Sequence, residues 1–152
     1  MFRKLVSVEE AKKLLDQNFM PKPLGTEAVS LSEAFGRVLA DDIASPLDVP
    51  PFDRSTVDGY AVRADDTFGA DEDRPLSLRL CGKVKVGEVS DVRVERGLAA
   101  EIVTGAPMPK GANAVIMMEH TVRKDNTILV HTPVSRTENV MKAGSDICKG
   151  EK

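Results

Sequence analysis

From residue 41 onward the chain is interrupted too often to build long helices. Short runs rich in Val, Ile and Leu alternate with Gly, Pro, Asp and Asn, the pattern of many short strands joined by tight turns. The runs Tyr60–Arg63, Leu76–Cys81, Lys83–Val89, Val92–Glu95, Glu101–Val103, Ala114–Glu119 and Thr127–His131 read as strands. Asp125-Asn126 sits between Thr121–Lys124 and Thr127–Val130 and suits a two-residue hairpin turn, because both residues tolerate positive φ. Such a segment closes most readily into a small barrel or sandwich.

The first forty residues read differently. Ser7 with Glu10 three residues later forms a capping box, and Val8, Ala11, Leu14, Leu15 and Phe19 recur at helical spacing until Pro21 and Pro23. Ser30 and Glu33 repeat the capping pattern ahead of Leu31, Ala34, Phe35, Val38 and Leu39. Two amphipathic helices are expected, each with its stripe serving as a packing face.

The 152 residues are enough for one ordinary domain or two small ones. With a net charge of −3 and interspersed signs, no basic stripe marks a nucleic-acid surface and no lysine block marks an anionic membrane. The longest apolar run, Ala114 to Met118, is far below the ~18 residues that span a bilayer. Polar residues follow Met1 too closely for a signal-peptide core, and Cys81 and Cys148 read as reduced thiols. A cytoplasmic protein without nucleic-acid or membrane partners is expected. His120 and His131 have no C-x-x-C or second histidine motif beside them, so a zinc site is not expected and each reads as a satisfied or exposed strand histidine.

Three loops carry the polar groups. Pro50 to Tyr60 presents Asp53, Arg54, Ser55, Thr56 and Asp58 within six residues, stiffened at its start by two prolines. Thr104-Gly105-Ala106-Pro107-Met108-Pro109-Lys110-Gly111 joins two apolar runs. Gly105 permits close backbone approach there, Thr104 supplies a hydroxyl, and exposed amides near the glycine could cradle an oxyanion; the spacing is not that of a P-loop. Asn139 to Ile147 contains Gly144-Ser145, a turn that would expose Asp146. Each loop alone also reads as an ordinary polar turn. Together they offer hard carboxylate oxygens, from Asp53, Asp58, Asp146 and Glu119, of the kind that suits magnesium.

Taken in order, these segments resemble the molybdopterin molybdenumtransferase family, that is, bacterial MoeA and the E domain of gephyrin. The resemblance rests on Leu31–Asp42, Pro51–Val62, Thr104–Ala112 and Glu138–Ile147. It implies a mixed α+β, mainly β fold, with a small barrel- or roll-like domain inserted into an elongated domain that begins with N-terminal helices. By that analogy residues 1–44 open the elongated domain, 45–136 form the insert, and 137–152 return to it. Residues Met1 to about Asn18 would be a helix that packs elsewhere in the full protein. A larger α/β pterin-binding domain and a C-terminal β domain would follow Lys152.

The resemblance further implies an enzyme that inserts molybdate into adenylylated molybdopterin with magnesium present and AMP released. Asp58, Thr104 and Asp146 match its active-site positions. Asp58 and Asp146 would organise magnesium or water around the phosphate, Thr104 would hydrogen-bond in the same cleft, and Ser55 and Gly105 would contact the pterin substrate. The family's cleft lies between this region of one subunit and the pterin-binding domain of the other in a homodimer, so this chain alone would supply one wall. The alternative is a non-catalytic dimeric scaffold. Three positions depart from the family pattern: Asn113 replaces an acidic residue, Met141 an arginine, and Glu101 stands near a position often basic. Lys142 or Arg136 could restore the charge missing at Met141.

Overall fold

A computed structural model describes residues 5–22, 24–88 and 90–152, and divides the chain between Asp42 and Ile43. Helix α1, Val8–Asn18, starts where the capping box predicts. The Ser7 hydroxyl accepts from the Glu10 amide, and the Glu10 carboxylate accepts from the Ser7 amide. Both interactions span three residues, so the sequence alone suffices to form them. Pro21 lies past the helix end as expected, and Pro23 falls outside the described residues.

The second expected helix does not form. Residues Leu31–Glu33 make a single 3₁₀ turn, and the Ser30 hydroxyl donates to the Glu33 carboxylate instead of capping an amide. Gly36 then adopts a left-handed φ of 78° that ends any helical continuation. The stripe it was to bury is open, with Phe35 99% and Val38 94% exposed. Most helical stability comes from burying an apolar face, and this segment buries none. Among the described residues the chain has one α-helix, and α1 likewise contains no buried residue.

The described residues of 43–152 hold eight strands. They are β1 (Arg54–Ser55), β2 (Gly59–Val62), β3 (Leu76–Val84), β4 (Leu98–Ile102), β5 (Ala114–Met117), β6 (Thr121–Lys124), β7 (Thr127–Val130) and β8 (Val140–Met141). Six form one sheet in the order β5-β2-β4-β3-β7-β6, antiparallel except for β3 beside β4. β5 and β6 end the sheet without pairing, so it is a curled half-barrel and not a closed one. β1 and β8 form a separate two-stranded ribbon.

Two sequence-expected strands merge. Leu76–Cys81 and Lys83–Val84 run through Gly82 as β3, with a register shift between Leu80 and Gly82 that bends the strand. Val86 and its neighbours are outside any strand, and Val89 is not among the described residues. The run Val92–Glu95 is reduced to one bridge between Arg93 and Lys110. There the Val94 amide donates to the Lys110 carbonyl at 2.8 Å, and Gly111 passes so close to the Val94 carbonyl oxygen that a Cβ would lie 2.2 Å from it. The β6–β7 hairpin forms as read, with Asp125 at a φ of 52°.

The sheet is covered on both faces. Tyr60, Val62, Leu78, Ile116, Ile128 and Val130 gather on one side; Ala61, Val84, Val94, Ile102 and Val115 gather on the other. Successive residues of β2 therefore enter different clusters, as the two-residue period of a strand requires, and all four are buried. β2 is an interior strand between β5 and β4, and Asp58 immediately precedes it.

Candidate functional site

Asp58 sits one residue before β2, and Thr104 sits two residues after β4, its antiparallel neighbour. The register pairs Gly59 with Ile102, which brings the two loop ends together across 46 positions of sequence. The Asp58 Oδ1 accepts a hydrogen bond from the Thr104 amide at 2.7 Å and another from its hydroxyl at 2.9 Å. Both side chains are exposed. The two bonds, the amide first, hold the Asp58 carboxyl below its ordinary range, so it is ionised near neutrality. Oδ2 has no partner among the described residues.

The Thr104–Ala106 amides are not free. The Thr104 amide donates to Asp58, the Gly105 amide to the Ser55 carbonyl at 2.8 Å, and the Ala106 amide to the Val103 carbonyl at 3.0 Å. The oxyanion cradle expected near Gly105 is thereby occupied by the protein's own acceptors. Gly105 takes a φ of 83°, which is what lets the loop turn back onto Ser55. Ser55 itself is 1% exposed; its hydroxyl donates to the Val57 carbonyl at 2.6 Å and accepts from the Val57 amide. Both residues build the loop that carries Asp58.

The third loop folds against the first. The Gly144 amide donates to the Pro50 carbonyl and the Asp146 amide to the Val49 carbonyl, each at 2.9 Å. Asp53 fastens the same junction: its carboxylate accepts from Lys142 Nζ at 2.6 Å and from the Ala143 amide at 2.9 Å. That pairing, led by the lysine, lowers the Asp53 pKa. The Gly144-Ser145 turn leaves Asp146 exposed, and its carboxylate has no partner among the described residues.

The departures in sequence have structural counterparts. The Asn113 Oδ1 accepts from the Ala64 amide at 2.8 Å and its carbonyl from the Thr137 amide at 2.8 Å, so it ties the end of β2 to the return segment. Glu101 is clasped between Lys83 at 2.6 Å and Arg123 at 3.1 Å on the sheet surface. Lys142 is spent on Asp53, and Arg136 makes a two-pronged pair with Asp65 at 2.8 and 3.1 Å. Neither is left to restore charge beside Met141. The residue that faces Met141 is Arg54, its cross-strand partner in the β1–β8 ribbon. Sequence reading did not single it out for that position, and no local signal could have, since the pair is 87 residues apart.

Elsewhere, Glu119 lies in a 3₁₀ turn after β5. Contrary to the expectation of a satisfied or exposed histidine, His131 is half-buried and its Nε2 has no partner among the described residues. The imidazole is turned inward where the hairpin meets His120, and only its backbone amide, which donates to the His120 carbonyl, is paired there.

A half-barrel sheet with three polar loops brought to one ribbon defines this chain as a β-rich module that presents carboxylates from converging turns. Residues 6–152 match the family model described as the MoeA N-terminal region, domains I and II, and the chain belongs to that family. It is 35% identical over 147 residues to the molybdopterin molybdenumtransferase of Synechococcus elongatus, covering 96% of this chain and 36% of that protein. The Haemophilus influenzae protein of the same name is 37% identical over 149 residues, covering 97% and 35%. A crystal structure of the molybdopterin biosynthesis MoeA protein from Pyrococcus horikoshii OT3 superposes with a TM-score of 0.84 at 47% identity, over 97% of this chain and 39% of that one. The chain thus spans little more than a third of the length of the relatives it matches.

Proposed function

We propose that this chain is the N-terminal part of an enzyme of molybdenum cofactor biosynthesis that inserts molybdate into adenylylated molybdopterin and releases AMP. Membership of the family supports the pathway, and the relatives carry the name of the transferase. The observation that carries the site is the Asp58–Thr104 pair, a carboxylate held ionised and oriented by two donors while one oxygen stays open.

A magnesium ion belongs to this reading, held by few protein groups. Among the described residues no group of three His, Cys, Asp or Glu is gathered as a closed metal cage. Magnesium commonly uses one or two carboxylates and completes its shell with water and substrate phosphate. In this reading the open oxygen of Asp58 and the carboxylate of Asp146 would be the protein ligands. When bound, such an ion would offset charge on the phosphoryl oxygens.

The chain's own residues do the rest. Thr104 fixes the Asp58 rotamer, and the Asp53–Lys142 contact keeps the Asp146 loop against the first loop. Ser55 and Gly105 hold the backbone beneath them. In this reading the pterin-binding domain of a partner subunit supplies the opposite wall of the cleft in a homodimer, and residues 45–136 are an insert within an elongated domain. A single wall positions no substrate, and positioning provides much of the rate.

The test is Asp58→Asn in the full-length enzyme. Asparagine keeps an oxygen for Thr104 and removes the charge. Loss of molybdenum insertion and AMP release, with an unchanged circular dichroism spectrum, is expected. Normal insertion in that variant overturns the assignment of Asp58.

A further inference from the structure

We propose that Arg54 binds a tetrahedral oxyanion, a phosphate monoester or an oxometalate, at the β1–β8 ribbon. The inference rests on the reading of the site given above and extends it to a residue that reading does not use.

Arg54 is half-buried in the β1–β8 ribbon, where its backbone is pinned from two sides. It pairs with Met141 across the ribbon and bridges to Pro107 in the Thr104 loop. The adjacent Ser55 exchanges backbone bonds with the same loop, donating to Ala106 and accepting from Gly105. Arg54 therefore stands on β1, next to Ser55, the residue that anchors the Thr104 loop.

Its side chain is held in an unusual way. Nε lies 3.4 Å and Nη2 3.1 Å from the Met141 sulfur. A thioether is a weak acceptor, whereas this edge of a guanidinium matches two oxygens of a carboxylate or phosphate. Nη1 has no partner among the described residues, and no carboxylate among them pairs with Arg54. Exchange of one sulfur for two anionic oxygens would improve both bonds without moving the backbone.

Elimination points to the same group. The amides of Thr104, Gly105 and Ala106 are committed, and the Thr104 hydroxyl donates to Asp58. Lys142 and Arg136 are paired with Asp53 and Asp65. An anion arriving at this ribbon needs a cationic donor, and among the described residues of the ribbon Arg54 is the one with no carboxylate partner.

The experiment is an NMR titration of the 152-residue chain with AMP and, separately, with molybdate, following backbone amides and the arginine Nε–H signals. Four proteins are compared: wild type, Arg54→Gln, Met141→Glu and Arg79→Gln. The last removes the same charge from an exposed position on β3. Met141→Glu leaves Arg54 in place and supplies a carboxylate opposite it, so it tests the idea even if Arg54→Gln fails to fold.

In wild type the Arg54 Nε–H and the amides of Thr104 to Ala106 should shift together. Arg54→Gln and Met141→Glu should weaken binding at least about tenfold, and Arg79→Gln should leave it unchanged. A response to AMP alone assigns a phosphate monoester; a response to molybdate alone assigns the oxometalate; either supports the proposal. Retention of the loop shifts with wild-type affinity in Arg54→Gln overturns the role of Arg54 and leaves the site standing. An equal loss in Arg79→Gln also overturns it, as a net-charge effect. Absence of any shift in wild type overturns this inference, while the site reading is decided separately by the Asp58→Asn assay in the full-length enzyme.

Discussion

Gly59→Ala tests how the fold places Asp58. Gly59 opens the interior strand β2 between β4 and β5, and its φ is not in the left-handed region, so the backbone tolerates alanine there. Space does not. An added Cβ would lie 1.9 Å from the Ile116 carbonyl oxygen, 2.9 Å from its carbon and 3.2 Å from the Met117 Cα. Ordinary contact begins near 3.4 Å, so β2 and β5 must separate by about 1.5 Å, against backbone that cannot rotate away. Overpacking of that kind costs about 1–3 kcal/mol, and loss of one or two ladder hydrogen bonds adds about 1 kcal/mol each. A destabilisation of about 2–5 kcal/mol follows, equivalent to a fall in Tm of roughly 6–20 °C. Gly97→Ala is the control: its φ of 74° strains alanine, but nothing lies within 4 Å of the new Cβ, so its cost stays near 1–2 kcal/mol. Thermal unfolding by circular dichroism measures both. Hydrogen exchange at the Thr104 amide adds a local readout, because a displaced β2 carries Asp58 away from it. A Gly59→Ala protein within 1 kcal/mol of wild type, or no weaker than Gly97→Ala, would refute the argument.

Two other predictions concern stability. Thr67 is fully buried; its hydroxyl donates to the Ala64 carbonyl at 2.8 Å and accepts from the Val134 amide at 3.1 Å. Thr67→Val keeps the shape and strands that amide, so a loss of about 1–3 kcal/mol is expected, seen as a urea midpoint lower by on the order of 1 M. The carboxyls of Asp53, Asp58, Asp65 and Glu101 are all held below their ordinary values of 3.8 for aspartate and 4.5 for glutamate, chiefly by hydrogen bonds from Lys142, Thr104, Arg136 and Lys83. The unfolded chain then binds more protons as pH falls through that range, so this stability is complete above about pH 5 and is lost below about 4.5. Urea midpoints should be flat from pH 8 to about 5.5 and fall below it, less steeply in Glu101→Gln; a midpoint that rises on acidification contradicts the assignment.

What the sequence determined by itself was local. The α1 capping box closes over three residues, and the hairpin turn needs only a residue that accepts positive φ at Asp125. The three polar loops were legible as loops, and Asp58, Thr104 and Asp146 as residues worth placing in them. Where the same local logic met a competing requirement it failed. Ser30 and Glu33 repeat the capping pattern, yet the apolar stripe behind them buries nothing and Gly36 turns left-handed.

Only the tertiary structure decided which polar groups meet. Asp58 finds Thr104 across 46 residues, Arg54 finds Met141 across 87, and Asp53 finds Lys142 across 89. These contacts follow from strand register, and register is set by simultaneous burial on both faces of the sheet, which no single segment encodes. The same register consumes the amides beside Gly105 and the charges of Lys142 and Arg136. A donor is available to a ligand only after the protein's own acceptors have been satisfied, and that is settled when the chain folds.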